Sequence, residues 1–171
     1  MNRFVSAALL CAAVVSSVAT SSVEDLADPL GPQDLAIGRY ETYTTVQPGA
    51  TFTRTFEVSI PTADLPSIHD SQIMVTATVF TSTGWSDVTG IVTGIGDSGS
   101  FELFADASNN YTDTLVLDDP FDGCTNANGW CTAEWTVRFQ HTDGTQAVDI
   151  EYAVQASAIG ADTEVDVSGM F

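Results

Sequence analysis

Asp118, Asp119 and Asp122 lie within one five-residue stretch just before Cys124, and Asn126 and Asn128 follow inside Cys124-Thr125-Asn126-Ala127-Asn128-Gly129-Trp130-Cys131. Carboxylates and amide carbonyls are the oxygens that hard cations select, and Ca²⁺ gathers about six to eight of them. These five residues are therefore the candidate calcium ligands. The segment lacks the opening Asp and closing Glu of a helix-loop-helix calcium loop, because Cys124 occupies the opening position. The competing explanation is turn chemistry, since Asp and Asn tolerate the dihedrals of tight turns. Trp130 in the same segment and Trp85 in Thr83-Gly84-Trp85-Ser86 are the candidate stacking residues for sugar rings. Trp135 alternates in phase with Val137 and Phe139 and reads as core.

Cys124 and Cys131 are expected to form a disulfide, because two cysteines in an exported chain pair more readily than they serve redox or zinc chemistry. Their spacing is not Cys-x-x-Cys. A closed zinc site would also need both His69 and His141. Closing so short a loop stabilises by about 2–3 kcal/mol if unstrained. Gly96-Asp97-Ser98-Gly99-Ser100 resembles the nucleophile loop of trypsin-like proteases. That resemblance implies a general-base His far upstream and two six-stranded barrels. Here the upstream His is His69, in the Pro-flanked run Ser67-Ile68-His69-Asp70, and the chain is too short for two barrels. The motif reads instead as a Gly/Asp/Ser turn, and no catalytic residue is assigned.

Composition narrows the field further. The chain carries 4 Lys+Arg against 23 Asp+Glu, a net charge of -19, and its basic residues are Arg3, Arg39, Arg54 and Arg138. With no lysine, Schiff-base chemistry and the Gly-Lys-Ser/Thr phosphate loop are excluded. An acidic surface repels phosphate backbones, so nucleic acid is excluded as a partner. Met1-Asn2-Arg3, the apolar run Phe4 to Val15 and the small residues Ser17-Val18-Ala19 have the layout of a secretory signal peptide over residues 1–19. It is too short to span a membrane comfortably. Cleavage after Ala19 removes Cys11 and leaves 152 of the 171 residues. That is enough for a real core. Residues 20–38, with Pro29, Gly31 and Pro32, read as a flexible leader or an edge segment, and residues 39–171 as one domain. Asn110-Tyr111-Thr112 is a glycosylation sequon, meaningful in a eukaryotic source.

Period-two alternation dominates from residue 50 onward. Phe52, Arg54, Phe56, Val58 and Ile60 share one face, as do Ile73, Val75, Ala77 and Val79. Phe101, Leu103 and Ala105 form a third such set, and Tyr111, Leu115 and Leu117 a fourth. The clearest runs are Ala133 to Gln140 and Val148 to Ala158, with Asp143-Gly144 between them as a hairpin signal, and a last run spans Thr163 to Val167. The pattern predicts an all-β chain: a single antiparallel β-sandwich, immunoglobulin-like or jelly-roll, of about eight or nine strands.

Val46-Gln47-Pro48-Gly49-Ala50-Thr51-Phe52-Thr53-Arg54-Thr55-Phe56-Glu57-Val58 resembles the Pro-Gly turn and Thr-rich strand found early in bacterial immunoglobulin-like surface modules. The resemblance implies a structural or binding role and carries no site residues. The leading expectation is a secreted, non-enzymatic protein of the cell surface, matrix or periplasm, with an adhesion-type role. Its partner would be itself, another surface protein or a glycan. The alternative is a calcium- or carbohydrate-binding module using the Asp118–Trp130 loop, and the third is a secreted hydrolase.

Overall fold

A computed structural model describes residues 35–160 and 164–170. Residues 1–19, expected as a signal peptide, residues 20–34 of the expected leader, Thr163 and Phe171 lie outside the described residues. Ten strands fill the described chain: β1 (Leu35–Val46), β2 (Thr51–Pro61), β3 (Asp70–Phe80), β4 (Trp85–Thr93), β5 (Ser98–Asp106), β6 (Tyr111–Asp118), β7 (Thr125–Ala127), β8 (Trp130–Gly144), β9 (Val148–Ile159) and β10 (Asp166–Gly169). They form a four-stranded sheet, β1-β9-β3-β6, and a larger sheet, β10-β2-β8-β4-β5, to which β7 adds by pairing with β8. Every pairing is antiparallel. The two sheets pack as a β-sandwich, as the alternation predicts. Among the described residues no helix is long and apolar enough to cross a membrane.

The alternating faces become the core. Phe56, Val58 and Ile60 of β2, Val75 and Val79 of β3, Trp135, Val137 and Phe139 of β8, and Ile150, Tyr152 and Val154 of β9 are all buried. An aromatic cluster bridges the sheets: Tyr152 of the smaller sheet meets Phe139 at 5.0 Å and Phe56 at 6.2 Å, both edge-to-face. Such pairs add about 0.5–1.5 kcal/mol each beyond area burial. Arg54 follows the same alternation, so it turns inward and its guanidinium carbon lies 5.4 Å from the centre of the Tyr40 ring. Burial pushes the Tyr152 phenol up to about 12, with nearby Arg54 pulling in the opposite direction.

Three features depart from the sequence reading. There are ten strands rather than eight or nine, because β1 and β4 carry weak alternation. The inward positions of β4 include Ser86 and Gly90, and Gly90 leaves room for the Phe101 ring of the neighbouring strand. On β1 the outward residues include the apolar Leu35, Ile37 and Tyr43, while the inward ones include Gly38, Thr42 and Thr44, which blurs the expected pattern. Leu35–Gly38, read as leader or edge segment, belong to edge strand β1. Second, Asp143-Gly144 does not make a hairpin. β8 runs on through Gly144 to pair with Ser86 of β4, past an irregularity at Asp87/Val88, and the chain then crosses to β9 in the other sheet. Among the described residues only β4–β5 and β7–β8 join as hairpins within one sheet. Third, Tyr111 shares the alternation of Leu115 and Leu117 yet is exposed, because it lies at the end of an edge strand.

Candidate functional site

The Cys124–Cys131 disulfide joins the residue before β7 to the second residue of β8, with Cα atoms 5.4 Å apart. Between them Asn128 and Gly129 take positive φ angles of 53° and 86°. This is the two-residue turn in which Asn-Gly matches the twist of the flanking strands. The Gly129 carbonyl accepts the Thr62 N–H at 2.8 Å, and the Asn126 side-chain oxygen accepts the Thr62 hydroxyl at 3.2 Å. The hairpin tip is thereby docked on the segment that follows β2.

The loop entering the disulfide is anchored from below. The Trp135 indole N–H donates to the Pro120 carbonyl at 3.0 Å within the core. The indole occupies the space beside Gly94, where a Cβ would come within 2.6 Å of the ring. Asp119, at φ 52°, donates its N–H to the Ser71 carbonyl, and the Asp122 N–H donates to the Asp119 carbonyl at 2.9 Å. Asp118 ends β6 and accepts a long contact of 3.5 Å from the Gln72 amide. The five candidate calcium ligands are thus spread over a strand end, a turn and a hairpin. Among the described residues no three of His, Cys, Asp and Glu converge in a group that fits a metal ion. Turn geometry accounts for Asp119 and Asn128, and the Thr62 contact for Asn126.

The two candidate stacking tryptophans are not brought together. Trp130 opens β8, whereas Trp85 neighbours Ser86, which pairs with Gly144 at the other end of β8. At about 3.3 Å per residue, β8 separates them by roughly 45 Å. Trp130 is 39 % exposed and lines a concavity of about 370 Å³ with Ser59, Thr132, Glu164 and Asp166. Two of its lining residues, Ser59 and Thr132, pair through their hydroxyls at 2.9 Å. Trp85 is the first residue of β4 rather than part of a turn, and it stacks on Phe104 of β5, a residue the sequence reading left unused. The signal for Phe104 was its even position beside the inward Leu103, which places a large aromatic on the outer face.

Gly96-Asp97-Ser98 forms the tight β4–β5 turn. The Gly94 N–H donates to the Asp97 carbonyl at 2.9 Å, and the Asp97 carboxylate accepts the Ser98 N–H at 2.7 Å. His69 is exposed ahead of β3, and His141 is buried within β8. At the β5–β6 turn, the Asp106 carboxyl is held below the usual carboxylate range, first by the Ser108 N–H at 2.7 Å and then by the Asn109 side chain.

No protein-family model matches this chain, and no curated protein matches it. Solved structures similar to it include dimeric latent PorU from Porphyromonas gingivalis, at 13 % identity and a TM-score of 0.37, covering 77 % of this chain and 14 % of that one. Desmodium yellow mottle tymovirus matches at 6 % identity and a TM-score of 0.31, covering 78 % and 91 % respectively. The VP2 protein of infectious bursal disease virus matches at 12 % identity and a TM-score of 0.29, covering 81 % and 39 %. These neighbours are β-rich, and at such scores they carry no argument about function.

Proposed function

We propose that this chain is a secreted, non-enzymatic β-sandwich of the cell surface or matrix that works by assembly and adhesion. The observation that supports this reading is strand β1. It pairs with β9 over twelve residues without a register shift and stands at the sheet edge, with Leu35, Ile37 and Tyr43 exposed. A long unbroken edge is a template for adding another strand, the main-chain groups giving affinity and the alternate side chains selectivity. The net charge of -19 opposes contact between copies at low salt, so screening should release it. Light scattering across a concentration series, at 0.15 and 2 M NaCl, tests the reading. Self-association that grows with salt and vanishes on Leu35→Glu with Ile37→Glu is the expected result. A monomer under every condition would overturn assembly through β1.

The Trp130 concavity favours a second reading, contact with a neutral glycan. An exposed indole beside paired hydroxyls and two carboxylates offers a stacking face and hydrogen-bond partners for sugar hydroxyls. Fluorescence titration with neutral oligosaccharides, lost on Trp130→Ala, is the matching test.

A further inference from the structure

Trp85 and Phe104 stack on the outer face of the larger sheet with centroids 6.5 Å apart and planes inclined by 26°. They are 46 % and 47 % exposed. Their placement is fixed by backbone: Trp85 pairs with Asp106 and Asp87 with Phe104 in an unbroken β4–β5 ladder. The Ala107 N–H donated to the Gly84 carbonyl at 2.9 Å closes its end. The rings therefore form a rigid shelf rather than a loop that folds away.

The charges around the shelf are all of one sign. Asp87 is the ladder partner of Asp143 of β8, whose carboxylate also accepts the Gly144 N–H at 2.7 Å. Glu102 lies two positions from Phe104 on the same face, its carboxylate accepting the Thr89 hydroxyl at 2.9 Å. Among the described residues the arginine nearest in register, Arg138, pairs with Ile91, six residues along β4 from Trp85. Arg54 turns inward and Arg39 belongs to the other sheet. Aromatic faces attract cations. Like charges on paired strand positions repel, and a cation between them relieves that repulsion. A neutral sugar would gain the stacking surface and leave that repulsion in place.

We propose that the Trp85–Phe104 shelf binds arginine or lysine side chains of a basic partner polypeptide, a guanidinium stacking on the rings while Asp87 and Asp143 take its N–H donors. The planar, weakly hydrated guanidinium suits this better than an ammonium. The shelf lies on a different sheet from β1, so this inference stands or falls apart from strand-edge assembly.

Fluorescence anisotropy of a labelled Arg-Gly repeat peptide at 0.15 M NaCl tests it on the full chain. Trp85→Ala with Phe104→Ala should weaken binding at least tenfold, and Asp87→Asn at least threefold. Glu57→Gln with Glu134→Gln, which removes two charges from the same sheet face away from the shelf, should leave affinity within twofold. Equal binding by wild type and the aromatic variant would reduce the interaction to general attraction by an acidic surface and overturn the proposal. Displacement of the peptide by cellohexaose, or no binding by the wild type, would overturn it as well. Should the double-alanine chain fail to fold, Phe104→Thr keeps a strand-favouring residue at an exposed position. A threefold loss there supports the shelf, and unchanged affinity refutes it.

Discussion

Glu57 of β2 and Glu134 of β8 are direct partners in the larger sheet, so two carboxylates face each other across one ladder rung. Opposed residues hold their Cβ atoms about 5 Å apart, and like charges there destabilise. Two unit charges at about 5.5 Å repel by roughly 0.7 kcal/mol in bulk water, and by more where the sheet displaces solvent. Measured cross-strand pairs span about 0.2–1 kcal/mol, so Glu134→Gln should stabilise by about 0.5–1 kcal/mol. Glu134 is exposed, so the swap disturbs no packing. For a domain of this size that gain raises Tm by about 1–4 °C. Glu134→Arg turns repulsion into attraction and should roughly double the gain. The assay is thermal unfolding followed by circular dichroism at 0.1 and 1 M NaCl. The Debye length shrinks from about 10 Å to about 3 Å between these conditions, so most of the difference should vanish at high salt. A gain that persists at 1 M NaCl, or none at 0.1 M, would refute the electrostatic reasoning. The double variant Glu57→Gln/Glu134→Gln should exceed Glu134→Gln alone by much less than Glu57→Gln gains by itself, because the pair interaction is already gone.

Replacing Cys124 and Cys131 by serine should cost about 2–3 kcal/mol, or roughly 5–10 °C in Tm, through the loop entropy returned to the unfolded chain; an unchanged melting curve with and without reductant would contradict this. Gly94→Ala drives a methyl into the Trp135 ring and should destabilise by about 1–3 kcal/mol, read as a lowered denaturant midpoint at unchanged slope. The Tyr152 phenol, raised to about 12 by burial, keeps its proton in the folded state at pH values where the unfolded chain has begun to lose it. Its stabilising contribution is therefore complete below about pH 10 and declines as pH rises toward 12. Unfolding midpoints from pH 9 to 12 should fall less steeply in Tyr152→Phe than in the wild type, and identical slopes would remove Tyr152 as the cause.

Much of this molecule was legible in local chemistry. Alternation along Thr51–Ile60, Gln72–Thr81, Ala133–Gln140 and Val148–Ala158 determined which side chains face the core, because strand side chains alternate with period two whatever they pair with. The cysteine pair and the Asp and Asn residues around it marked a stapled tight turn, since turn dihedrals are set by the residues that occupy them. What the chain could not declare is which strand lies beside which. The inward Ser86 and Gly90 hid β4, and only the structure shows Phe101 of the adjacent strand filling the space beside Gly90. Asp143-Gly144 looked like a hairpin until pairing with β4 carried β8 past it. Tertiary register alone parted Trp85 from Trp130, set Phe104 beside Trp85, and placed Glu57 opposite Glu134. These juxtapositions join residues far apart in sequence. They depend on the competition among all possible strand pairings, which burial of the two facing inner surfaces decides and no local pattern encodes.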